Sequence, residues 1–115
     1  MYYHPASQNI KNTSPIIFIH GTGMDHTVWT LPIRHFSRMK KDVLAIDLPG
    51  HGKNKDRPLT SISKISDYIY KFLDINSISN CSLVGHSMGS LIALEMASSQ
   101  PERVHAISMI GTAFP

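Results

Sequence analysis

Cys81-Ser82-Leu83-Val84-Gly85-His86-Ser87-Met88-Gly89 is the stretch on which the fold turns. Cys81 to Val84 is a short apolar run that stops at a glycine, as a buried parallel strand does. Behind it Leu91, Ile92, Leu94, Met96 and Ala97 predict a helix apolar around most of its circumference, and therefore buried. Between strand and helix stands Gly-x-Ser-x-Gly. So tight a turn forces its central residue into a strained backbone and brings the neighbouring backbone close. Side chains at Gly85 and Gly89 would clash there. The turn lifts the Ser87 hydroxyl out of the sheet and sets it at a helix N-terminus, where unpaired N–H groups and the dipole favour negative charge.

Similar units lie on either side. Ile16-Ile17-Phe18-Ile19 is an apolar run that stops at His20-Gly21-Thr22-Gly23. Trp29, Leu31, Ile33 and Phe36 follow, and Thr30 is placed to cap a short helix with Pro32 in its first turn. Val43-Leu44-Ala45-Ile46 is a second buried strand, ended by Asp47-Leu48-Pro49-Gly50-His51-Gly52. From Thr60 or Ser61 a helical period sets Ile62, Ile65, Ile69, Phe72 and Leu73 on one face, and Asn76 to Asn80 reads as a turn. Pro101 closes the helix behind Ser87, and Val104 to Ile110 is a fourth strand ended by Gly111. Residues 1–14 are polar and irregular. The class is α/β: a parallel, doubly wound sheet of four strands with helices on both faces. A common order puts the first strand between the second and third, so the switch point lies between Ile16–Ile19 and Cys81–Val84. His20–Gly23 and Gly85–Gly89 both emerge at that crevice, where such folds bind ligands.

Composition narrows the function. The 115 residues, 42% hydrophobic with net charge +3, make an ordinary globular chain with room for one domain. One cysteine excludes a disulfide scaffold and fits a reducing compartment, so a cytoplasmic location is expected. No apolar run nears the roughly 18 residues that span a bilayer, and Met1 to Pro5 leads into no apolar signal segment, so no membrane partner is expected. The basic residues are scattered apart from Lys40-Lys41 and Lys53 to Arg57, which argues against nucleic acid. The seven histidines show no paired Cys/His spacing, and neither metal nor cofactor is implied.

A nucleophilic serine needs N–H donors aimed at the developing oxyanion. Met88 N–H, directly after Ser87, is one candidate, and Thr22 N–H, between Gly21 and Gly23, is the other. At this point the chain resembles the N-terminal half of an α/β-hydrolase-fold serine hydrolase. His20-Gly21-Thr22-Gly23 resembles the oxyanion loop of that superfamily, and Asp47-Leu48-Pro49-Gly50-His51-Gly52 its Asp-x-x-Gly-x-Gly turn. Gly85-His86-Ser87-Met88-Gly89 resembles its nucleophile elbow, and Pro101-Glu102-Arg103-Val104 the approach to its next strand. The resemblance runs from about Pro15 to Pro115. It implies that residues 1–115 are the N-terminal part of one domain, either a fragment or an unusually short relative. It also implies that the catalytic acid and histidine lie beyond Pro115. In a minority of families the acid follows the strand after the elbow helix, but Gly111 to Pro115 contains no carboxylate.

The resemblance implies a serine hydrolase acting on a small-molecule ester or acyl substrate: carboxylic esters, lactones, or carbon–carbon bonds of β-diketone-like compounds. Ser87 is the nucleophile, Thr22 and Met88 hold the oxyanion, and Gly85 and Gly89 supply the elbow geometry. The alternatives are an acyltransferase or cofactor-free perhydrolase of the same fold, or a non-catalytic ligand-binding protein built on it. Oligomeric state is left open. Other polar residues read as structural. His86 is expected to point away from Ser87 and pack under the elbow, and His20 and His51 to bond loop backbone. His4, His26, His35 and His105 read as surface or helix-edge residues, and Asp47 as a turn-stabilising carboxylate. Cys81 reads as a buried inert thiol, Trp29 and Met88 as core or acyl-pocket lining, and Lys53 to Arg57 as a solvated loop.

Overall fold

An apolar run without polar interruption is stable as a strand when both of its faces are covered. The computed structural model describes residues 3–4 and 14–111 and shows that arrangement. Its strands are β1 (Tyr3–His4), β2 (Ile16–Ile19), β3 (Val43–Ile46), β4 (Cys81–His86) and β5 (Val104–Ile110), in the order β1-β3-β2-β4-β5. β2 to β5 are parallel, and β2 lies between β3 and β4 as the sequence reading expects. Along β2 the side chains alternate between two cores. Ile17 and Ile19 join Leu44 and Ile46 on one face, and Phe18 joins Val43 and Ala45 on the other.

One expectation is corrected at the edge. Residues 1–14 are not wholly irregular, because Tyr3 and His4 pair antiparallel with Ile46 and Ala45 of β3. Two residues are too short to show an alternating pattern. The free edge of β3 recruits them, and no local signal marks them.

The helices follow their periods with adjustments. Asp25, not Thr30, makes the first cap. Its carboxylate accepts the Thr27 N–H at 2.8 Å and opens a 3-10 turn over His26–Trp29 that runs into α1 (Thr30–Arg38). Thr30 lies inside, its hydroxyl donating to the Thr27 carbonyl. α2 (Ile62–Ile75) starts where the sequence puts it, with the Ser61 hydroxyl accepting the Lys64 N–H at 3.1 Å. It buries Ile65, Ile69, Phe72 and Leu73, and each such side chain contributes about 1.5–3 kcal/mol. α3 (Met88–Ser99) buries Ile92, Ala93 and Met96, whereas Leu94 is exposed and Leu91 and Ala97 are half-buried. The expectation of a helix buried around most of its circumference is therefore corrected. α3 packs on the sheet and on α2, and Leu94 lies on a side that is left open.

β4 runs two residues beyond its apolar stretch. Gly85 continues the ladder opposite Ile19 and Met109, and His86 opposite Ile110. The carboxyl ends of β2, β3 and β4 thus open onto one end of the sheet.

Candidate active site

Ser87 joins β4 to α3 with φ 56° and ψ −119°, a left-handed backbone that residues with a Cβ seldom adopt. Its N–H donates to the Ile110 carbonyl at 2.9 Å, and its carbonyl accepts the Ser90 N–H at 3.0 Å. A Cβ on Gly85 would overlap the Gly89 carbonyl. A Cβ on Gly89 would overlap the Ile19 carbonyl oxygen and come within 2.7 Å of that of His20. The first turn of α3 therefore crosses the end of β2 at backbone contact.

The loop after β2 meets the elbow. A Cβ on Gly21 would lie 3.1 Å from Ser87 Cβ and 3.2 Å from the His86 carbonyl. Beyond it the Thr22 hydroxyl donates to Met88 Sδ at 3.1 Å. The structure thus brings Thr22, Ser87, Met88, Gly85 and Gly89 to one place. Met88 lies in the first turn of α3, where N–H groups lack intrahelical partners.

Buried polar residues hold this end in shape. His20 is fully buried; its Nδ1–H donates to the Gly21 carbonyl at 2.7 Å and its Nε2 accepts the Leu48 N–H at 3.1 Å. Those partners fit the neutral ring. Burial pushes the His20 pKa below 6.5, opposed by the Gly21 hydrogen bond and reinforced by His51, whose ring lies 5.0 Å away. Asp47 is also fully buried. Its carboxylate accepts the His26 N–H at 2.7 Å, the Lys53 N–H at 2.8 Å and the His26 ring Nδ1 at 2.9 Å. Gly52, at φ +53°, leaves room for that carboxylate.

The remaining residues divide clearly. His51 Nδ1 bonds the Pro49 carbonyl at 3.0 Å, and His35 and His105 are exposed. His26, expected as a surface or helix-edge residue, opens the 3-10 turn and is partly buried against Asp47. The His4 side chain and residues 112–115 lie outside the described residues. Burial pushes the Cys81 thiol up to about 11, so it stays protonated and inert. Trp29 is buried with its ring 5.1 Å from that of Phe18. With Met24, Val28, His86 and Ile110 it lines a cleft of about 230 Å³ beside the elbow. Asn54 escaped the sequence reading. In an otherwise exposed loop it is buried, and its amide donates to the Asp47 carbonyl at 2.8 Å and to Tyr68. No periodicity marks Asn54 or His26, because each is fixed by hydrogen bonds to Asp47 and not by a repeating apolar face. Among the described residues no group of three or more His, Cys, Asp or Glu is placed to hold a metal, and no helix is long and apolar enough to cross a membrane.

Known proteins are similar to this chain in sequence and in fold. The acetyltransferase component of the acetoin cleaving system of Cupriavidus necator, acting on a dihydrolipoyllysine residue, is 32% identical over 96 residues, covering 83% of this chain and 25% of that protein. The (E)-2-((N-methylformamido)methylene)succinate hydrolase of Acinetobacter baylyi is 29% identical, over 84% of this chain and 36% of its own length. The solved structure of Est816, an N-acyl homoserine lactone degrading enzyme, superposes with a TM-score of 0.81 at 26% identity, over 96% of this chain and 41% of that one. The chain thus spans between a quarter and about two-fifths of these relatives. The family profile for the alpha/beta hydrolase fold matches residues 14–115, and the chain belongs to that family.

Proposed function

We propose that the protein is a serine hydrolase that cleaves a carboxylic ester or related acyl bond of a small molecule through an acyl-enzyme on Ser87. The observation that carries this reading is the left-handed backbone of Ser87 at the start of α3, with Gly21 of the facing loop against its Cβ. The hydrolase and lactone-degrading relatives support the reaction class.

In this reading Ser87 Oγ attacks the acyl carbon while a base takes its proton, and the carbonyl oxygen becomes an oxyanion between Thr22 N–H and Met88 N–H. The leaving group takes the proton and departs. Water, activated by the same base, then releases the acid and restores Ser87. The base and the acid that orients it are assigned to residues beyond Pro115. Among the described histidines, His20 has both ring nitrogens engaged, His26 is turned onto Asp47 and His51 onto the Pro49 carbonyl. The 115 residues alone are expected to be inactive, because a serine hydroxyl without a positioned base is a weak nucleophile. The reading calls for no cofactor and keeps a cytoplasmic location as its expectation, which the single cysteine supports.

An acyltransferase is the second reading, favoured by the acetyltransferase relative. It uses the same acyl-enzyme and differs in the acceptor. In the full-length protein a fluorophosphonate should label Ser87. Ser87→Ala should abolish labelling and lower ester hydrolysis by about 10⁴ to 10⁶. Labelling that survives this change overturns the assignment. Transfer to an added thiol or alcohol in preference to water selects the second reading.

A further inference from the structure

Two donors stabilise one oxyanion only when both stand about 2.7–3.1 Å from the same point. Met88 N–H is held by a helix. Thr22 N–H lies on a loop tip, where Thr22 and Gly23 are both exposed. Gly23 has φ +77°, and no atom beyond its chain neighbours lies within 4 Å of where its Cβ would be. The loop is fixed on either side of the tip. His20 is bonded at both ring nitrogens, Gly21 rests against Ser87, and the Met24 N–H donates to the Gly21 carbonyl at 3.2 Å. At the tip itself, among the described residues, the Thr22 side chain makes one hydrogen bond: its hydroxyl to Met88 Sδ at 3.1 Å. That bond runs from one candidate donor residue to the other.

We propose that the Thr22 hydroxyl and the Met88 thioether form a clasp that sets the spacing of the two backbone amides, making both side chains positioning elements for the oxyanion. The proposal rests on the serine hydrolase reading of Ser87. A thioether is a weak acceptor, so the bond is modest by itself. Its effect lies in which conformations it denies to an exposed two-residue loop tip that is otherwise closed by the Met24–Gly21 backbone bond. An amide that wanders costs transition-state stabilisation and leaves substrate binding nearly intact, so the clasp should appear in kcat and not in KM. It also orders the flexible Met88 side chain, whose three rotatable bonds otherwise leave it free to move.

The test uses the full-length protein and four variants. Thr22→Val keeps the branched shape and removes the hydroxyl, and Thr22→Ser keeps the hydroxyl. Met88→Leu keeps the bulk and removes the acceptor, and the fourth variant combines Thr22→Val with Met88→Leu. Two readouts are taken: amide-exchange protection at Gly23, and the rate of Ser87 phosphonylation alongside kcat and KM. Thr22→Val and Met88→Leu should each lower protection, and slow both phosphonylation and kcat by about three- to tenfold with KM within twofold. Thr22→Ser should recover the Gly23 protection and most of the rate that Thr22→Val loses. The double variant should be no worse than the poorer single, because both remove one interaction. Losses that multiply in the double variant overturn the clasp, as does unchanged protection at Gly23 in Thr22→Val. Failure of the natural protein to label at Ser87 instead overturns the hydrolase reading, and the exchange measurement still decides whether the clasp exists.

Discussion

Among the described residues three that are not glycine take a left-handed backbone, and they belong to two different kinds of place. Lys40 and Ser77 each follow the C-cap of a helix, at φ 59° and 58°. After α1, the Lys41 N–H returns to the Phe36 carbonyl and the Lys40 N–H to that of Ser37, both at 3.0 Å. After α2, the Ile78 N–H returns to Leu73 at 2.9 Å and the Ser77 N–H to Asp74 at 3.1 Å. Each left-handed residue thereby satisfies orphan carbonyls of its own helix. Ser87 precedes its helix instead, and its N–H reaches across to β5. No comparable local return explains its φ. The backbone contacts at Gly85, Gly89 and Gly21 impose it from outside. Strain at a helix end is a local solution to a local need, whereas strain at the elbow is maintained by the tertiary fold and presents a hydroxyl.

The largest expected effect removes the room that the elbow requires. Gly89→Ala should cost more than about 4 kcal/mol, or prevent folding, because the atoms it meets are the carbonyls of β2 and cannot swing away. Gly23→Ala, left-handed but with open space around it, should cost about 1–2 kcal/mol. Denaturant melts of both variants decide this. Equal costs would mean that backbone conformation alone, and not close approach, sets the demand at the elbow.

Next in size is the oxyanion loop. Thr22→Pro deletes the N–H and should lower kcat by about 10² or more, the scale of losing one oxyanion donor. Thr22→Ala removes the hydroxyl and the γ-methyl but keeps the N–H, and should cost less than about tenfold. Steady-state kinetics on folded variants compare the two, and equal losses would assign the loop another role.

Legibility in the sequence divides along the same line as the strain. β2 to β5, α2 and the Gly-x-Ser-x-Gly turn could be read because the period of apolar residues and the glycine spacing are local signals. The Ser61 cap was legible for the same reason. β1 was not, since two residues have no period and the edge of β3 defines it. Nor was the placement of His26 and Asn54, because each is set by hydrogen bonds to Asp47, 21 residues from one and seven from the other, which leave no period in the sequence. The exposed Leu94 misled for the opposite reason: its apolar character is real, but composition does not say which flank of α3 is covered.

His20 gives a smaller effect, with a definite sign. Its folded pKa lies below 6.5, chiefly through burial, while the unfolded chain titrates near 6.5. Above that pH both states are neutral, and the stabilisation is complete. As pH falls below it, the unfolded chain takes up a proton that the folded ring refuses, and stability declines until the folded pKa is reached. One proton corresponds to at most about 1.4 kcal/mol per pH unit. His20→Gln should flatten the stability profile below pH 6.5 by up to that slope. Parallel profiles for the two proteins would show that His20 does not set this dependence.

The smallest effect tests the comparison most directly. At Ser77 the left-handed backbone costs a residue with a Cβ about 1–2 kcal/mol, and glycine removes that cost while adding about 0.5–1 kcal/mol of unfolded-state entropy. Ser77→Gly should therefore stabilise the protein by about 0.5–1 kcal/mol. The Schellman bonds of α2 remain available to it, because they use backbone groups alone. Lys40→Gly should behave alike, and neither should alter kcat, since both residues lie at helix ends away from the elbow. Ser87→Gly should relieve similar strain, and the resulting protein should be at least as stable as the natural one yet inactive, because the hydroxyl is gone. Thermal melts and one activity assay on the three variants separate the cases. Stabilisation at all three positions, with activity lost only at residue 87, would show that the elbow bears conformational strain which the helix ends can shed without cost. Destabilisation by Ser87→Gly would show that the Ser87 side chain helps hold the elbow, and would remove the contrast between the two kinds of site.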